Sequence, residues 1–228
     1  MFLYRRWCEP RTARAAHRRR TAGAAQCCNG LAAIHYYVGG RPFRQPGDRE
    51  LTREERAQIA TFGRLSTREE EEYGAAHGFT LEHWQLEDES AQGLKMVRPA
   101  GSAGRRYAPG QLVAVRPADA KSFLLGQVRW LAQSDAGDLY CGVRLLPGLP
   151  AAIAVRPTGL NEREAAFVQA LSLGAVPALG APASLVLPSG WFKPKRVLEL
   201  WTEGPVRVRL TALLERGIDF ERVAYEAP

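Results

Sequence analysis

The hexapeptide Asp88-Glu89-Ser90-Ala91-Gln92-Gly93 sets an acid, a hydroxyl and a glycine two and three residues apart. It lies between segments 79–87 and 93–99, which both read as strands, so the three residues fall at a tight strand-to-strand corner. A carboxylate there can accept paired hydrogen bonds from a guanine edge or a guanidinium. The hydroxyl donates or accepts, and the glycine permits a turn conformation that a β-carbon would forbid. Such a corner can hold a small polar ligand against a barrel wall. The same residues also suit an ordinary turn.

The matching charge lies elsewhere. Residues 1–20 hold arginines at 5, 6, 11, 14, 18, 19 and 20 against Glu9 alone, a net +6 of the chain's formal +7. The basic character therefore belongs to an N-terminal arm, and such arms meet polyanions or phosphate ligands. A second arginine pair, Arg64 and Arg68, precedes the acidic run Glu69–Glu72.

Around these residues the apolar fraction of 46% is that of a globular chain with a core. No apolar run is long enough for a transmembrane helix, so no membrane insertion is expected. No apolar stretch follows the first arginines, which argues against a secretory signal, although the arginine-rich, acid-poor start also suits an organellar transit peptide. Cys27 and Cys28 are adjacent, Cys8 and Cys141 isolated, and none has metal-ligand spacing, which fits reduced thiols in a cytoplasmic protein. His17, His35, His77 and His83 are near neither a nucleophile nor a metal-like partner in sequence. Gly-x-Ser-x-Gly, P-loop and Rossmann fingerprints are absent, so no enzyme and no cofactor are expected.

The periodicity predicts a mainly β chain. Residues 1–30 read as the basic arm and a first strand at 22–28. Residues 31–78 read as a helical insertion, with helices at 31–38, 51–62 and 66–76. Strands at 80–88, 93–98, 111–116, 123–133 and 139–146, split by Gly/Pro/Asp turns, make a small antiparallel barrel over 79–150. A connection follows over 151–182, with a short helix at 161–171. Strands at 183–187, 196–202, 205–214 and 219–225 form a second small β subdomain over 183–228, whose mixed charges suit solvent or a protein contact. Ala-Val-Arg-Pro occurs at both 114–117 and 154–157, a repeat best taken as chance. The strand tryptophans, Trp84, Trp130, Trp191 and Trp201, read as core or rim and not as a stacking platform.

The barrel with Asp88-x-Ser90-x-x-Gly93 between its early strands resembles the PilZ domain, a bacterial receptor for cyclic di-GMP. Gly126, Val128 and Trp130, then Gly142 to Leu145, continue the family's rhythm. The resemblance covers residues 79–148 and the arm. It implies an arginine cluster just before the first strand, which Arg14, Arg18, Arg19 and Arg20 supply in preference to Arg64 and Arg68. After the latter pair, acids would repel phosphate and no strand fits before residue 79. The preferred arm leaves an unusually long insertion ahead of the second motif.

By this resemblance the arginines would take the phosphates and guanines of cyclic di-GMP, Asp88 a guanine edge, and Ser90 and Gly93 the close approach. The chain would be a non-enzymatic receptor or adaptor regulating an unidentified partner protein. Two other readings stay open. One is a small barrel binding RNA or single-stranded DNA through its arm. The other is a degenerate barrel acting only in protein–protein contact.

Overall fold

The computed structural model describes residues 19–46, 74, 76–159, 165–202 and 204–228. Arg14, Arg18, Arg64, Arg68, the acidic run and the expected helix at 51–62 lie outside the described residues, as does most of that at 66–76.

The first strand begins earlier than its apolar pattern predicts. β1 (Arg19–Asn29) carries two arginines of the arm into the sheet before its buried half, Ala25 to Asn29, starts. β2 (Glu82–Ser90), β3 (Gly93–Arg98), β4 (Leu112–Pro117), β5 (Leu124–Gln133) and β6 (Leu139–Leu145) follow. They close in the order β1-β2-β3-β6-β5-β4. Alternation fills the barrel: Trp84, Leu86, Leu94, Met96, Val113, Val115, Val128 and Val143 share one apolar cluster.

A second barrel occupies the rest of the chain. β7 (Pro150–Pro157), β8 (Val168–Leu173), β9 (Ser184–Pro188), β10 (Val197–Trp201), β11 (Pro205–Arg216) and β12 (Phe220–Glu226) also close on themselves. Followed around the barrel, the order is β7-β8-β9-β12-β11-β10, the same path as in the first. The expected connection over 151–182 is thus corrected, because it contributes β7 and β8. The helix expected at 161–171 gives way to β8 from Val168. Both strands are buried on both faces: Ala170 packs into the second barrel's core while Leu171 faces the other barrel. A strand covered on both sides loses the alternation by which strands are read. The two Ala-Val-Arg-Pro copies fall on β4 and β7, which hold different places in the two barrels, so they mark no duplicated strand.

A shared apolar layer joins the barrels. Cys28, Leu112, Ala114, Phe123 and Leu125 of the first meet Leu171, Leu173, Val186 and Phe220 of the second. Strand alternation therefore separates the adjacent cysteines, Cys27 into the first barrel's core and Cys28 into this layer. Burial raises both thiols well above their usual range. α1 (Leu31–Gly39) adds Ile34 to the layer and ends at Gly40, whose left-handed φ of 64° lets its N–H reach the Tyr36 carbonyl. His35 sits on α1 with Nε2 3.1 Å from the Ile153 carbonyl of β7. The β11–β12 turn docks on the first barrel: Asp219 accepts from the Leu112 N–H at 2.9 Å, and the Ile218 N–H donates to the Gly110 carbonyl at 3.0 Å.

Candidate functional site

The corner forms as its sequence predicts, where the β2–β3 hairpin turns at Ser90–Gly93. Ser90 Oγ donates to the Gly93 carbonyl at 3.2 Å and accepts from the Gln92 N–H at 3.4 Å. Ser90 thus braces the turn. Gly93 is required for a reason other than turn conformation, since it is not among the glycines with positive φ. A β-carbon there would lie 2.7 Å from the Val143 carbonyl of β6, closer than real side chains approach. Hairpin and β6 are tied again by the Leu145 N–H, which donates to the Gln92 carbonyl at 2.9 Å.

The arm reaches this corner through backbone pairing. Arg20 stands opposite Asp88 in the β1–β2 register, and Arg19 opposite Glu89. A register shift between Arg20 and Gly23 separates this pairing from the regular part of β1; such bulges re-aim strand ends. The structure thus brings Arg19, Arg20, Asp88, Ser90 and Gly93 together.

Following the register sideways gives a row across five strands. Arg20 pairs with Asp88, Asp88 with Lys95, Lys95 with Gly142, and Gly142 with Trp130. Cross-strand partners share a face. Leu94 and Met96, on either side of Lys95, point into the barrel, so the row lies on the outer wall. Lys95 pairs with Glu87, the extra residue of a β2 bulge, and sits 4.9 Å from the Tyr140 ring centre. Trp130 is 39% exposed and lies over Gly142, where any β-carbon would strike its indole. Trp84, by contrast, is core. A guanidinium, a carboxylate, an ammonium and an exposed indole therefore share one wall. Groups of these types take part in ion pairing, hydrogen bonding to base edges and ring stacking.

One row along the same wall stands Arg144, opposite Gly93. Lys95 and Arg144 give no signal in the sequence and Trp130 reads there as core or rim, because each lies in an ordinary strand pattern and only pairing shows which of them meet. Motif spacing for Gly126 and Gly142 gave a partial signal. Gly142 makes room for Trp130, and Gly126 lies under Val143.

A rival in the first barrel is an open groove of about 520 Å³ lined by Arg98, Arg105, Arg106, Tyr107, Leu131 and Leu139, among others. Two of its cations are already engaged. Arg98 binds buried Glu82 at 2.8 Å, and Arg105 Nη1 donates to the Gly78 carbonyl at 2.6 Å. The equivalent corner of the second barrel, residues 174–183 between β8 and β9, reads Gly-Ala-Val-Pro-Ala-Leu-Gly-Ala-Pro-Ala and holds no charged residue. Among the described residues, no three His, Cys, Asp or Glu gather in a metal-holding group. No helix among them is long and apolar enough to cross a membrane.

The second barrel has a counterpart among known families. A family model described as the FimW C-terminal beta-barrel domain matches residues 153–228, about the last third of the chain. The match begins inside β7 and runs through β12. It supports a small β-barrel there. No curated protein matches the chain.

Proposed function

We propose that the chain is a non-enzymatic receptor for cyclic di-GMP of the PilZ kind, with the ligand on the outer wall of the first barrel. The observation that carries this reading is the placement of Arg20 opposite Asp88 at the hairpin of Asp88-x-Ser90-x-x-Gly93. The PilZ resemblance asks for arginines beside that motif, and the register of Arg20 with Asp88 and of Arg19 with Glu89 supports that reading. Arg20 and the arm preceding it would take phosphate, Asp88 a guanine N–H edge, and Trp130 a base face. Ser90 and Gly93 would act by holding the hairpin close to β6.

The acids of Glu87–Glu89 favour this reading over a nucleic-acid arm. Asp88 and Glu89 offer carboxylates that can accept from guanine N–H edges, which a ligand with two guanines uses and a sequence-tolerant phosphate-binding arm does not. The second barrel, uncharged at the matching corner, suits the output side, where a regulated protein partner would dock.

Trp130 provides the test. Titrating cyclic di-GMP should change the tryptophan emission, and Trp130→Phe should remove most of that change. GTP at the same concentration should do neither. An identical response to GTP, or none to either ligand, would overturn the proposal.

A further inference from the structure

Arg144 leaves the wall at β6 and pairs with Glu215 of β11, on the other barrel. Glu215 is also held by Arg222 Nη1 at 2.9 Å, and Arg222 Nε donates to Ser184 Oγ at 2.9 Å. Among the described residues, two guanidinium groups thus share one carboxylate. They also leave donors over: Arg144 Nε and Arg222 Nη2 are buried without a hydrogen-bond partner among the described residues. Buried guanidinium N–H groups without acceptors are costly. The cluster can therefore take a further acceptor oxygen.

Its two arginines differ in freedom. The Arg222 side chain is 6% exposed and fixed, whereas that of Arg144 is 42% exposed. Arg144 stands opposite Gly93 on the outer wall, two residues along β6 from Gly142, about 7 Å from that row. We infer that Arg144 is a further ligand-binding residue, which exchanges Glu215 for a ligand phosphate and so couples the occupied wall to the second barrel. This rests on the proposed function and extends it. Glu215 keeps Arg222 when Arg144 leaves, so the exchange strands no buried carboxylate. The second barrel loses one of its ties to the first, which gives the ligand a means of altering how the barrels are held.

Calorimetry with cyclic di-GMP on a double-mutant cycle tests this. Arg144→Ala should weaken binding about tenfold or more, the loss of one charge-assisted contact. Glu215→Gln removes the competitor and should tighten binding about threefold or more in the wild-type background. In the Arg144→Ala background, Glu215→Gln should have no effect. A mere change in local field would tighten both backgrounds equally, and that result overturns the inference. So does unchanged affinity in Arg144→Ala, which stands as a test alone if Glu215→Gln does not fold. If wild type binds and Arg20→Ala does not, the proposed function survives either of those failures. No binding by the wild-type chain overturns both.

Discussion

Arg20 and Asp88 face each other across β1 and β2 on the outer wall of the first barrel, although 68 positions separate them in the chain. The pairing closes an insertion that contains α1 and brings the arm's end to the corner of the β2–β3 hairpin. Neither residue contributes to the apolar clusters of the barrels. Their substitution therefore separates binding from folding.

Arg20→Ala and Asp88→Ala should each remove one charge-assisted contact to cyclic di-GMP. At roughly 1.5–3 kcal/mol each, affinity falls by about ten- to 150-fold. Melting temperatures should stay close to wild type. Calorimetry paired with thermal melts checks both parts, and an Asp88→Ala chain that unfolds would reduce the hexapeptide to a structural turn.

Gly93→Ala should behave in the opposite manner. Its β-carbon meets the Val143 carbonyl at 2.7 Å, so hairpin and β6 must part, at a cost of about 1–3 kcal/mol. Ser90→Ala removes only the turn bonds, about 0.5–1.5 kcal/mol. Urea midpoints should therefore rank wild type above Ser90→Ala, and Ser90→Ala above Gly93→Ala.

Most of the fold was legible because most strands have one buried face. β2 alternates cleanly from Glu82 to Leu86, and β3 begins and ends where its pattern predicts. β7 and β8 were not legible, since the layer between the barrels buries their second face and alanines blur what remains. The site was half legible. The hexapeptide and arm are local in sequence, but the row linking Lys95, Gly142 and Trp130 exists only through strand register. Arg144 and Glu215 lie on different barrels, and no spacing rule connects them.

Phe220 is fully buried in the layer between the barrels. Phe220→Ala should cost about 3–5 kcal/mol, mostly as a cavity. Because that layer draws on both barrels, the loss should appear together in both. Hydrogen exchange at β4 and at β8 should accelerate in parallel; acceleration at β8 alone would show the barrels to be independent.

His35 gives the protein a pH dependence of known sign. Burial holds its pKa below the ordinary 6.5, opposed by the Ile153 carbonyl and assisted by Arg41. The unfolded chain then binds a proton that the folded chain excludes. Stability is therefore full above about 6.5 and falls as the pH drops from there towards the folded pKa. Asp219 acts oppositely at more acid pH, since burial raises its pKa above 3.8. Denaturant midpoints between about pH 8 and about pH 5.5 should decline less in His35→Gln than in wild type; equal declines would exclude His35 as the cause.

The proposed function requires that the wall bearing Arg20, Asp88 and Trp130 bind a cyclic dinucleotide. Isothermal titration of the intact chain with cyclic di-GMP, using GTP as control, measures it most directly. The expected result is saturable heat with cyclic di-GMP, none with GTP, and a loss of at least about tenfold in affinity in Arg20→Ala. No heat from the wild-type chain at high cyclic di-GMP concentration, in a sample shown to be folded, would contradict it.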